Sequence, residues 1–126
     1  MTDESYCQRV IEHFEHPHHH GYFDAAADVI AARAGRRADG VEFSFTARIA
    51  DGRVAALRFQ AFGCPHCIAA ASWLTRQLIG ATQQELAQWQ WRTAAEALEV
   101  PTAKRGRLLI LEDAIHALAE NWQRND

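Results

Sequence analysis

Two cysteines three residues apart, in the run Cys64-Pro65-His66-Cys67, carry the clearest chemical signal in this sequence. Pro65 suits the first turn of a helix, and the run before Gly63 reads as a strand, so the pair falls at a strand-to-helix junction. Free amides and the macrodipole at a helix start favour thiolate, the nucleophilic and metal-ligating form of cysteine. A C-x-x-C turn also lets two sulfurs converge on one metal, which is half of a tetrahedral site. Only one such pair is present. Further ligands would have to come from His66, Asp39, a second subunit or a bound partner. Two chains together would offer four thiolates, the set an iron–sulfur cluster takes. The alternative, two small buried side chains, is disfavoured because a Pro-His insert at a helix start is expected to expose the pair. Asp39-Gly40 reads first as a turn. Antiparallel pairing, however, puts it at the same end of the following hairpin as Cys64, so its carboxylate is a candidate ligand.

Other conspicuous residues have plainer explanations. His13, His16, His18, His19 and His20 could suggest a transition-metal site, but with no carboxylate or Cys beside them they read as a polar surface loop. Cys7 is expected on the solvent side of the first helix, as an incidental thiol. Lys104-Arg105-Gly106-Arg107 reads as a solvated, flexible basic stretch. Trp89 and Trp91, at spacing two, cannot share a helix face, so one is assigned to the core and the other to the surface or a partner contact.

The elements that must position these groups follow from periodicity. Tyr6, Val10, Ile11 and Phe14 give an amphipathic helix over about Ser5–Glu15, stopped by Pro17. Residues 25–38, rich in Ala and Arg, are undecided between helix and strand. Val41, Phe43, Phe45, Ala47 and Ile49 alternate with polar residues, giving a strand with one buried face. Asp51-Gly52 is a tight hairpin turn, and the return strand runs to Phe62 with Leu57 and Phe59 inward. A helix over about Pro65–Ile79 follows, with Ile68, Ala71, Leu74 and Leu78 along one side. Thr82 with Glu85 and Thr93 with Glu96 are capping-box patterns, predicting short helices over 83–90 and 94–99. Leu108, Leu111, Ile115, Leu118 and Trp122 give a last amphipathic helix of about 15 residues. The order predicts an α+β fold: an antiparallel sheet built on the 41–62 hairpin, with room for a third strand, covered on one face by helices.

Composition narrows the function classes. The chain has 126 residues, 48% of them hydrophobic and 23% charged, with a net charge of −3. This is an ordinary globular balance, expected to form a single domain over 1–126. Without excess positive charge a dedicated nucleic-acid role is not expected. No apolar run approaches the ~18 residues of a membrane span. The start, MTDESYCQRV, lacks the order of a signal peptide, and three cysteines is too few and too odd for a disulfide framework. A cytoplasmic location is expected.

Several segments taken in order carry a family likeness. Ser5-Tyr6 through Val10-Ile11-Glu12-His13-Phe14, then His16-Pro17 and Gly21-Tyr22-Phe23-Asp24, begin it. Arg58-Phe59 with Phe62-Gly63-Cys64, then Ile68-Ala69-Ala70-Ala71-Ser72, and finally Leu111-Glu112-Asp113-Ala114-Ile115 continue it. Together they resemble the U-type iron–sulfur cluster scaffolds, the IscU and NifU amino-terminal domain, over nearly the whole chain. The resemblance implies a small, non-enzymatic α+β domain that assembles a 2Fe–2S cluster on three cysteines helped by an Asp and a His. A cysteine desulfurase supplies sulfur, and acceptor proteins take the cluster. Carried across, the first cysteine position falls on Ala38, the middle one on Cys64 and the third on Arg107, preceded by Gly106 where the family has a His. The family's Cys-Gly-Asp run reads Ala38-Asp39-Gly40. Its chaperone-recognition segment reads Val100-Pro101-Thr102-Ala103-Lys104, and Tyr6 matches a family tyrosine.

The resemblance thus implies a diverged scaffold binding iron, zinc or an iron–sulfur cluster through Cys64 and Cys67, with Asp39 and His66 as further candidate ligands. Persulfide chemistry at the pair, or no cofactor at all, is also consistent with it, as is a homodimer. Two other functions compete. Cys-Pro-His-Cys is similar to the active-site turn of oxidising thioredoxin-fold proteins, and Val100-Pro101-Thr102 to their downstream proline, which suggests a thiol–disulfide oxidoreductase. The hairpin before the pair and the helical 108–122 pattern oppose it. The loss of ligands at Ala38 and Arg107 suggests a non-metal regulatory partner of the assembly machinery.

Overall fold

The alternating strand and its tight turn are the frame on which the rest is laid in the computed structural model, which describes residues 7–125. Strand β2 (Val41–Ala50) buries Val41, Phe43, Phe45 and Ala47 on one face. Asp51 and Gly52 both take positive φ, 54° and 73°, as a two-residue hairpin turn requires. Strand β3 (Arg53–Phe62) returns antiparallel, pairing Phe45 with Phe59 and Glu42 with Phe62. A register shift at Arg48/Ile49 breaks the alternation, and Ile49 is only half-buried.

The undecided stretch resolves as β1 (Val29–Arg36), giving a three-stranded antiparallel meander in the order β1-β2-β3. A 3-10 turn, Arg37–Asp39, and Gly40 at φ 91° connect β1 to β2.

Helices cover one face. Helix α2 (Pro65–Gln77) lies against β3, and α5 (Gly106–Asn125) lies across β1 and β2. Helix α1 (Gln8–Glu15) packs on α2, while α3 (Gln83–Ala87) and α4 (Trp91–Ala97) pack on α5. Held between α1 and the sheet, α2 is buried almost all round, with Ala69, Ala70, Ala71, Ser72, Trp73, Leu74 and Thr75 inside. The single apolar side expected for it is too narrow a description; small side chains let neighbours close on several sides. Gly35 fixes the seating of α5. It sits at φ 84°, and a Cβ there would land on the Val41 carbonyl oxygen and 2.9 Å from Ile110 of α5.

Other boundaries shift for physical reasons. Ser5 and Tyr6, assigned to the first helix, lie outside the described residues. The Thr82/Glu85 capping box forms, with Glu85 N–H donating to Thr82 Oγ1 at 3.3 Å and Thr82 N–H to Glu85 Oε1 at 2.9 Å. The Thr93/Glu96 box does not form. Helix α4 starts earlier, at Trp91, whose N–H donates to Glu112 Oε1 of α5 at 3.0 Å. Trp89 and Trp91 are both half-buried rather than divided between core and surface. The final helix is 20 residues long and includes Arg107, so the basic stretch is not a free loop. Thr102–Lys104 before it is a 3-10 turn.

Candidate functional site

Cys64 is the N-cap of α2, with extended backbone (φ −74°, ψ 170°) and Pro65 at the first helical position. Cys67, one turn on, points back, and the two sulfurs lie 3.6 Å apart. Their surroundings differ. Cys64 is half-buried, whereas Cys67 is 1% exposed and part of the hydrophobic core. The expectation that the Pro-His insert exposes both cysteines therefore fails for Cys67, because the second cysteine of a C-x-x-C helix start already lies in the first turn, on the side packed against the sheet. His66 is buried as well, at 2% exposed. Gly63 permits the arrangement. A Cβ there would come within 2.9 Å of Cys67 Cβ and 3.0 Å of Cys67 Sγ.

The electrostatics separate the two thiols further. The Cys67 S–H donates to Cys64, and this hydrogen bond is the largest influence holding the Cys64 thiol down to about 4 from its ordinary value of 9.0. Burial works against it. The amides of Cys67 and His66 and the positive charge of Arg107 assist it. The same bond and the same burial push Cys67 far up, so it keeps its proton. Arg107, on the first turn of α5, brings its positive charge to bear on Cys64, and the thiolate in turn raises the Arg107 pKa. The site is a helix-start thiolate near a guanidinium charge, with a protonated thiol beneath it.

Asp39 pairs with a neighbouring arginine. Its carboxylate is exposed and accepts from Arg36 Nε at 3.4 Å. The hairpin does bring its end of the sheet close, since a Cβ on Gly63 would be 3.7 Å from the Gly40 carbonyl oxygen. Among the described residues, no three His, Cys, Asp or Glu side chains are grouped so as to hold a metal ion. With Arg107 facing the sulfurs, a self-contained metal or cluster site does not fit the residues present.

The histidine run is more than a surface loop. His13 is buried, and its Nδ1 lies 2.8 Å from Ser72 Oγ, which also accepts the His18 N–H at 2.7 Å. His19 Nδ1 lies 3.1 Å from Thr75 Oγ1. The Phe59 N–H donates to the His19 carbonyl at 3.1 Å and the Gly21 N–H to the Phe59 carbonyl at 2.7 Å. These bonds strap the segment along β3. Cys7 is not a solvent-side thiol either. It is half-buried at the N-cap of α1 and donates to the Leu98 carbonyl at 3.1 Å. Sequence reasoning missed Gly63, Gly35, Ser72 and Thr75. The signal for Ser72 and Thr75 was their polar chemistry inside an otherwise apolar helix.

The chain belongs to a recognised family: residues 5–126 match the model of the NifU-like N terminal domain. The chain is 30% identical over 121 residues to the Candida glabrata protein named iron sulfur cluster assembly protein 1, mitochondrial, covering 94% of this chain and 57% of that one. It thus spans little more than half of that relative. It is 29% identical over 121 residues to the iron-sulfur cluster assembly scaffold protein IscU of Escherichia coli K12, covering 94% of each. The crystal structure of a NifU-like protein (N-terminal) from Brucella abortus superposes with a TM-score of 0.72, at 18% identity and 95% coverage of both chains. The α+β fold with its helix-covered antiparallel sheet agrees with the sequence expectation. No described helix is long and apolar enough to cross a membrane.

Proposed function

We propose that this chain is a scaffold-like domain of iron–sulfur cluster assembly whose own chemistry is to receive sulfur at Cys64. Family membership and the names of the relatives support the assembly role. The observation that carries the sulfur role is the placement of Cys64 at the N-cap of α2, half-buried and 3.6 Å from Cys67, with the Arg107 charge acting on it. A thiolate held by amides and a guanidinium is a nucleophile, and the cation also stabilises a terminal persulfide anion. Iron or a cluster is cargo here. Cys64 and Cys67 supply two sulfurs toward it, and the remaining ligands come from outside the chain. The partners are a cysteine desulfurase and acceptor proteins, and the chain itself is not an enzyme.

The antiparallel meander and the 20-residue α5 leave the oxidoreductase alternative without its βαβ frame. The regulatory alternative is supported by the Arg107 charge near Cys64, at the position where the family resemblance implies a third cysteine.

Anaerobic incubation with free cysteine and a cysteine desulfurase, followed by mass analysis, tests the proposal. One added sulfur on the Cys64 peptide is expected in the Cys67→Ser chain, and none in Cys64→Ser. Desulfurase binding without any sulfur on Cys64 would overturn it in favour of the regulatory role.

A further inference from the structure

The 3.6 Å separation of the sulfurs, the burial of Cys67 and its close approach to Gly63 carry a consequence beyond sulfur acceptance. We infer that Cys67 is a resolving thiol that discharges the sulfur carried by Cys64 as sulfide, closing a Cys64–Cys67 disulfide. This rests on sulfur reaching Cys64, as proposed above.

The chemistry balances in two steps. The Cys64 thiolate attacks the terminal sulfur of a persulfide donor, R–S–SH. The donor S–S bond breaks, and R–S takes the electron pair and the persulfide proton, leaving the anion Cys64–S–S⁻. The Cys67 proton passes to that terminal sulfur, and the Cys67 thiolate so formed attacks Cys64 Sγ. The bond between Cys64 Sγ and the terminal sulfur breaks, and hydrosulfide leaves with the electron pair. Two cysteine thiols have been oxidised to a disulfide, and one sulfane sulfur has been reduced to sulfide. Exchange with a cellular dithiol, itself oxidised to a disulfide, returns the pair to thiols.

The geometry favours this route over attack by outside thiols. Cys67 already contacts the sulfur it must attack. A sulfur–sulfur bond is about 2.05 Å long, so side-chain rotations at Cys64 and Cys67 supply the remaining approach. The alternative, a persulfide stored on Cys64, would place the Cys67 thiol against its inner sulfur with no backbone between them. The event is stoichiometric, one sulfide for each reduced chain, which suits a sulfur-handling domain that is not an enzyme. It also gives sulfide in the form a cluster needs.

The test is a single turnover of the full chain, reduced and freed of small thiols, with one equivalent of glutathione persulfide under anaerobic conditions. Released sulfide and intact mass are measured together. Wild type is expected to release close to one equivalent of sulfide and to lose two hydrogens, with the linkage mapped to Cys64–Cys67. Cys67→Ser is expected to gain one sulfur at Cys64 and release sulfide roughly tenfold more slowly. Cys67→Ala is the second variant, because it keeps the buried site free of a new hydroxyl. A wild type that keeps the added sulfur with both thiols otherwise intact would overturn the inference while leaving sulfur acceptance standing. So would equal sulfide release from both Cys67 variants and wild type. No sulfur on Cys64 in any form of the chain would overturn sulfur acceptance itself, and the inference with it.

Discussion

Removing the Cys67 thiol should loosen Cys64's grip on its negative charge more than removing the neighbouring cation does. The two influences on Cys64 are ordered by the site: the Cys67 hydrogen bond is the largest and the Arg107 charge the smallest of those that lower it. A hydrogen bond to a charged group contributes about 1.5–3 kcal/mol, and one pH unit corresponds to about 1.36 kcal/mol. Cys67→Ala should therefore raise the Cys64 midpoint by roughly one to two units from about 4. Arg107 stands at the rim, where a charge pair contributes about 0.2–1 kcal/mol, so Arg107→Gln should raise it by less than about one unit. Thiolate absorbance in the ultraviolet and the rate of alkylation by iodoacetamide, each followed against pH, report the midpoint. Cys7→Ser serves as the common background, so that Cys7 does not enter the signal. The reasoning is refuted if Arg107→Gln shifts the midpoint further than Cys67→Ala. A starting midpoint near the ordinary 9.0 would refute it more completely.

Gly63→Ala should cost about 1–3 kcal/mol of stability in urea unfolding, because its methyl group displaces Cys67. Disulfide formation between Cys64 and Cys67 should slow in the same variant. Ser72→Ala should cost about 1–3 kcal/mol by leaving the His18 amide and His13 Nδ1 without their shared partner. Burial, aided by the His18 and Arg76 charges, lowers the His13 pKa below 6.5. The folded chain then binds fewer protons than the unfolded one, so the His13 contribution is intact above pH 6.5 and is lost as pH falls through the lower folded value. Melting temperature should drop over that range, and drop less in His13→Gln. Thr82→Ala should cost about 1 kcal/mol in thermal unfolding, whereas Thr93→Ala should stay within about 0.5 kcal/mol.

What could be read from the sequence, and what could not, divides along local and long-range causes. The β2 alternation, the Asp51-Gly52 turn and the Thr82 box are set by neighbours in the chain, and each is found where the residues place it. Strand β1 was undecidable because Val29–Arg36 is mostly Ala, Arg and Gly and only Ile30 is fully buried. Its conformation comes from pairing with β2 and from α5 resting on Gly35. Helix α4 begins where Glu112 holds the Trp91 amide, a contact 21 residues away that no capping pattern encodes. At the site, the helix-start position of Cys64 was legible from Pro65. The burial of Cys67 was not, because it depends on how α2 settles against β3. Antiparallel pairing puts the Asp39 end of the sheet beside Cys64. The Arg36 contact with the carboxylate is a detail of the turn that strand pairing does not encode.

The strap of residues 18–21 has a bearing on how copies of this chain meet. The outer margin of β3 at Phe59 is occupied by His19–Gly21 through main-chain bonds and a parallel bridge at His20. On the other margin, Asn121 of α5 donates to the Ala31 carbonyl at 2.6 Å. Bare strand margins invite uncontrolled stacking of one molecule's sheet onto another's. At these two positions, a second sheet could add on only by first displacing the bonds already made.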